Sequence, residues 1–142
     1  MIKMVDGLQA ALRIAGSGIS AQSARLRVVS ENIANAQSVG SQPGADPYAR
    51  KTITFATELD RASGIELVQA KSIGIDTTPF KIEHDASSPA ADENGMVKMP
   101  NVDVLTELAD MREANRSYEA NLQVAKQSAE LMTMTVNLLK DA

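Results

Sequence analysis

The chain has 142 residues, 44% of them apolar but only 3% aromatic, with formal net charge −4 and a pI near 5.0. An acidic balance argues against nucleic-acid binding, and the absence of cysteine excludes disulfides, thiolate nucleophiles and cysteine metal sites. No stretch approaches the ~20 consecutive apolar residues of a membrane helix, and with four aromatic side chains (Tyr48, Phe55, Phe80, Tyr118) the chain is thinly supplied for a self-sufficient core.

The first element predicted is a helix over roughly residues 3–37. Apolar residues recur at 3–4 spacing as Val5, Leu8, Leu12, Ala15, Ile19, Gln22, Leu26, Val29 and Ile33, which lines one narrow seam suited to packing on other helices. Gly7, Gly16, Gly18 and two serines lower its intrinsic propensity, so packing must order it. Arg25 and Arg27 fall late in it, and Gly40 and Pro43 stop it. Asp6 and Arg13 interrupt any signal-peptide apolar region, so work outside the cytoplasm would need export without a cleaved signal.

All five prolines lie between residues 40 and 100. Tyr48–Ala56, Ile65–Ala70 and Ser72–Glu83 read as strands, Thr78-Pro79 as a turning step, and 87–95 as a loop, giving a small β-hairpin or three-stranded element. His84 is the lone histidine; it lies between Glu83 and Asp85 with no nucleophile motif nearby and reads as a surface residue. Asp92-Glu93-Asn94-Gly95 lacks the alternate ligand spacing of a calcium loop and reads as a turn. Gly16-Ser17-Gly18 lacks the strand and Lys-Ser/Thr of a phosphate loop.

After Pro100 a second helix is predicted to the end of the chain, N-capped by Asn101 or Asp103, with Asp103, Glu107 and Asp110 placing acid where the dipole favours it. Its seam runs Val104, Leu108, Met111, Asn115, Tyr118, Leu122, Ala125, Ala129, Met132, Val136 and Leu139. Residues 1–39 carry four basic and two acidic side chains and 101–142 four basic and seven acidic, which favours pairing of the arms. Of two antiparallel registers, the one in which paired numbers sum to 137, setting Gln22 against Asn115, is preferred over the sum of 144, because it pairs amide with amide. The seam amides Gln22 and Asn115 fit either a register-fixing role or a solvated seam. Asn32 and Asn35, three apart at the end of the first helix, read as capping residues, with contact to a neighbouring subunit as the alternative.

The predicted fold is therefore mainly α: long N- and C-terminal helices packing as a coiled coil around a small central β/loop insert. Its parts are an N-terminal arm 1–39, an insert 40–100 and a C-terminal arm 101–142. A helix of about 40 residues, roughly 60 Å long, exceeds what so small a domain can cover, so the seam is expected to face other chains and the protein to be an assembly subunit. A generic coiled-coil adaptor or scaffold subunit of another complex is the rival reading. No catalytic, cofactor-binding or metal-binding residue is assigned; no nucleic acid and no small-molecule substrate is expected.

Particular segments sharpen this. Residues 30–38 (SENIANAQS), closing the first helix, resemble the signature of flagellar basal-body rod and hook-type axial proteins; Tyr48-Ala49-Arg50-Lys51 follows at that family's distance. Residues 84–102 are similar to the corresponding segment of its proximal-rod members, and Arg116 to Asn121 continues the likeness into the second helix. The motif residues are Asn32, Asn35, Tyr48, Pro100, Asn101, Tyr118 and Glu119. The resemblance implies a structural subunit of the rod that links the inner-membrane rotor to hook and filament. It also implies export by the flagellar type III apparatus, helical polymerisation in the periplasm, and partners among its own copies, other rod proteins and proximal-rod and MS-ring junction proteins.

Overall fold

The structure is a computed structural model, and it describes residues 2–140. In chain order it contains α1 (Ile2–Ala34), β1 (Lys51–Asp60), β2 (Ile65–Ile75), β3 (Lys81–His84), β4 (Met96–Met99) and α2 (Val104–Lys140). The two long helices and the small β insert stand as expected. The insert is not one three-stranded element: β1 pairs only with β2 and β3 only with β4, making two separate two-stranded sheets. Among the described residues no helix is long and apolar enough to cross a membrane.

α1 ends three residues before the expected boundary. Asn35 Nδ2 donates to the Glu31 carbonyl at 2.9 Å, and the Ser38 hydroxyl donates to Asn35 Oδ1 at 3.0 Å. Asn35 is thus the capping residue its position suggested, and no basic side chain falls in the last turn. α2 is capped by Asp103, not Asn101. Its Oδ1 accepts from the Leu105 and Thr106 N–H groups at 3.0 and 3.1 Å, satisfying two donors that the helix leaves open.

The residues fall into two compact units. One comprises Met1–Arg25, Phe55–Lys71 and Glu113–Ala142. Here α1 and α2 meet on small side chains: Ala15, Gly18 and Ala21 are buried on α1, and Ala114, Ser128 and Thr135 on α2. A Cβ on Gly18 would stand 2.7 Å from the Asn121 side chain, so glycine is needed for this approach. The Thr135 hydroxyl satisfies itself on its own helix, donating to the Leu131 carbonyl at 2.8 Å. The β1–β2 turn is closed by Asp60, whose carbonyl accepts from Gly64 N–H at 2.7 Å with Gly64 at φ +68. The hairpin touches α1 through Val68 N–H donating to Ser17 Oγ at 3.3 Å and through Arg13 Nη1 and Asp60 Oδ2 at 3.0 Å.

The other unit comprises Leu26–Thr54 and Ser72–Arg112. Its apolar core is Val28, Val29, Ala90, Val97 and Val102, with Pro100 also buried. β3 and β4 are antiparallel, with Lys81 opposite Met99 and Glu83 opposite Val97. Asp92 closes their connection: its Oδ1 accepts from the Asn94 and Met96 N–H groups at 2.8 and 2.9 Å. Residues 92–95 are the turn their composition indicated, and His84 is exposed on β3.

Candidate functional site: a buried polar node and an uncovered apolar row

The end of α1, the start of β1 and the first turn of α2 converge on Asn32 and Glu107. Asn32 is 1% exposed and Glu107 0%. Asn32 Nδ2 donates to the Lys51 carbonyl at 2.9 Å and to Glu107 Oε2 at 3.0 Å. Its Oδ1 accepts from the Tyr48 hydroxyl and the Lys51 N–H, both at 2.8 Å. Two donors and two acceptors exhaust what an amide side chain can offer. Glu107 Oε1 accepts from Arg50 Nε at 2.5 Å, and Arg50 Nη1 reaches Asp76 Oδ2 at 3.3 Å.

Asn101 closes the far side. Its Oδ1 accepts from Arg50 N–H at 2.8 Å, while its Nδ2 donates to the Asp76 and Thr78 carbonyls at 3.1 and 2.9 Å. Lys51 Nζ pairs with Glu31 on the rim. The node is thus held by hydrogen bonds on every face, the condition under which buried polar groups are tolerated at all. Removing Arg50 would cost about 3–5 kcal/mol because Glu107 would be left charged and dry.

The electrostatics follow from this geometry. Burial pushes the Tyr48 hydroxyl pKa up, and the Glu31 and Glu107 charges push it further; Arg50 partly opposes them. Burial disfavours the Arg50 guanidinium, but hydrogen bonds and charge from Glu107 and Asp76 outweigh it and hold the proton more firmly than usual. Hydrogen bonds from the Thr78 hydroxyl and N–H, then the charge of Arg50, hold the Asp76 carboxyl below the ordinary carboxylate range.

Of the motif residues, the node gathers Asn32, Tyr48 and Asn101, and Pro100 is buried in the same unit. Asn32 does not cap its helix; it is the hub. Asn35 caps. Tyr118, half-buried, and Glu119, exposed, belong to the other unit. Nothing in the sequence marks Glu107, Arg50 and Asp76 as members of a node. An acid in the first turn of a helix has an ordinary dipole explanation, and no local signal distinguishes this one.

The seam residues divide into rows. On α2, Met111, Tyr118, Ala125 and Met132 are half-buried, while Leu108, Asn115, Leu122, Ala129, Val136 and Leu139 are exposed, as is Val104. The row on the other side, Glu107, Ala114, Asn121, Ser128 and Thr135, faces inward instead, with Asn121 half-buried and the rest buried. On α1, Val29 and Ala15 are buried; Val5, Leu8, Leu12, Ile19, Gln22, Leu26 and Ile33 are half-buried. The intrachain face of α2 is therefore the small and polar row, and an apolar row is left beside it.

The expected register is displaced as well. Gly18 meets Asn121 and Asn32 meets Glu107, and each pair sums to 139, neither 137 nor 144. Gln22 does not find Asn115, which is exposed; Gln22 Oε1 is buried with no hydrogen-bond partner. Among the described residues no group of three or more His, Cys, Asp or Glu is arranged to hold a metal.

Two long helices flank a small β insert, and three of the seven motif residues, Asn32, Tyr48 and Asn101, share one node. Residues 12–40 match the family model described as "Flagella basal body rod protein", and residues 93–138 match "Flagellar basal body rod FlgEFG protein C-terminal". The chain is 62% identical over 136 residues to the flagellar basal-body rod protein FlgC of Agrobacterium fabrum, covering 96% of this chain and 98% of that one. It is 39% identical to FlgC of Salmonella typhimurium (88% and 92% covered) and 33% identical to FlgC of Borreliella burgdorferi (94% and 99% covered). The chain belongs to the FlgC family of flagellar basal-body rod proteins, structural components of the bacterial flagellum.

Proposed function

We propose that the chain polymerises through its terminal helices into the proximal part of the rod and there carries torque from rotor to hook. The arms 1–39 and 101–142 are the assembly modules in this reading and 40–100 is the insert between them, with the helices associating as coiled coils. The subunit works in the periplasm, leaves the cytoplasm through the flagellar type III apparatus, and has no enzymatic role. Its neighbours are its own copies, other rod proteins and the proteins joining the proximal rod to the MS ring.

One observation carries the reading. α2 turns a small, polar row inward and leaves Leu108, Leu122 and Val136, at turns of one flank, exposed to solvent. Scattered exposed leucines are ordinary, but a row along a 37-residue helix marks a surface meant to be covered.

The test is to place Leu122→Asp and Val136→Asp in motile cells. Leu122 is 37% exposed in the monomer, so the subunit should still fold and be secreted, yet rods should not complete and swimming should stop. Lys126→Ala, off the row, should swim. Normal swimming by both aspartate variants would reject the assignment.

A further inference from the structure

We infer that the node of Asn32, Arg50 and Glu107 is a register lock: it selects which residues of α1 meet which residues of α2. The small face where the helices meet cannot make that selection.

Ala114, Asn121, Ser128 and Thr135 stand seven residues apart on one line of α2, and all are small. Sliding α2 by one heptad in either direction would present Ala114 or Ser128 to Gly18 in place of Asn121. Both side chains are smaller than asparagine, so neither displacement creates a clash. Met111, Tyr118 and Met132 in the adjoining row are only half-buried and reach solvent, so their differing sizes discriminate weakly. Along this small face, side-chain size does not choose among the three alignments, the condition in which strict heptad repeats lose register.

The node removes that degeneracy. Asn32 has all four hydrogen-bonding positions filled, one by Glu107, and Glu107 has no exposed surface. A slip of seven would set Ala114 or Pro100 at Asn32, leaving an amide donor unpaired and carrying Glu107 away from Arg50. A single buried polar contact that is satisfied in one alignment and orphaned in all others is how helices specify register at some expense of stability. Asn32, Arg50 and Glu107 are positioning residues in this sense. They need touch no neighbouring subunit to decide which apolar rows the subunit presents.

The chain has no native cysteine, so disulfide trapping reads the alignment directly in the purified full-length protein. Three double-cysteine proteins are made: Gly18→Cys with Asn121→Cys, and Gly18→Cys with Ala114→Cys or with Ser128→Cys, the last two also carrying Asn121→Ala so that no asparagine meets the new Cβ. With the native node, only the pair with position 121 should oxidise efficiently, because a disulfide needs Cα atoms within about 7 Å. The same three pairs are then placed in Asn32→Leu/Glu107→Leu, which fills the contact with apolar volume at some loss of stability, because Lys51 and Tyr48 lose the Asn32 amide and Arg50 loses Glu107. That protein should remain helical with a cooperative melt, but oxidation should spread to all three pairs. Continued selective trapping at 121 in the folded leucine variant would overturn the lock. Should the leucine variant not fold, Glu107→Gln decides: below its melting temperature it should yield trapping at 114 or 128 that the native node does not, and trapping confined to 121 would equally overturn it.

Discussion

Arg50 Nε donates to Glu107 Oε1 at 2.5 Å, and the two side chains differ sharply in environment: Glu107 is fully buried while the Arg50 side chain keeps 25% of its surface exposed. The pair is therefore asymmetric. The arginine can turn to water or to Asp76 if its partner is lost, but the glutamate has no solvent to turn to.

The asymmetry predicts an order of damage. Arg50→Ala should lower unfolding free energy by about 3–5 kcal/mol, since it leaves the fully buried Glu107 charged and without its partner. Asp76→Ala, at the solvent side of the same arginine, removes a pair of the exposed kind, whose own worth is usually below about 1 kcal/mol. Urea denaturation of the two variants decides; equal losses would show that the node is not centred on Glu107.

Gln22 presents the opposite situation, a buried acceptor with no partner. Leaving such a group dry costs roughly 1–3 kcal/mol, so Gln22→Leu should raise the midpoint of thermal unfolding of the monomer. A lower midpoint would mean that Gln22 is satisfied by bound water.

Glycines two residues apart should respond in opposite directions. A Cβ on Gly16 meets nothing within 4 Å, so Gly16→Ala should add about 0.5–1 kcal/mol by helix propensity alone. Gly18→Ala would force Asn121 to swing aside and give up its 2.9 Å bond to the Ser117 carbonyl, and should destabilise despite the same propensity gain. Parallel urea melts would expose any failure of this contrast.

The Asp103 carboxyl is held below its ordinary range, first by the Thr106 N–H and also by the Leu105 N–H. Its folded pKa lies under the unfolded value near 4, so its contribution is complete above that value and lost as pH falls through the folded pKa. Asp103→Asn keeps a capping oxygen without the titrating group. The variant should melt close to the parent at pH 7 but fall less steeply between about pH 4 and pH 2. Identical acid limbs for the two proteins would remove Asp103 from the account.

Both long helices are legible in the sequence because 3–4 apolar spacing repeated along most of an arm is a period that only a helix satisfies. The face that each turns inward is not legible, and the reason is chemical. On α2 the inward row is glutamate, alanine, asparagine, serine and threonine, residues with little or no hydropathic signal, so the apolar pattern points to the flanking rows instead. β4 leaves no trace because four residues containing Lys98 are too few to show alternation, although Val97 within it is among the most buried side chains. Asn32 and Tyr48 stand out only as members of a familiar motif. That they share a hydrogen bond with each other, and through Asn32 with a glutamate far along the chain, is a property of the fold that no local pattern carries.

The contact between Asn32 and Glu107 joins residues 75 positions apart, and that separation governs when the subunit can exist. α1 has weak intrinsic propensity and no helical partner until α2 appears, and contacts so distant in sequence close late. At ~5–20 residues per second, a ribosome needs roughly 4–15 s to advance the 75 positions from Asn32 to Glu107. For that interval the first helix can close upon residues 48–51 and the β1–β2 hairpin but not upon α2. The chain thus completes its fold only when its last quarter arrives, which leaves an open, threadable polypeptide for most of its synthesis.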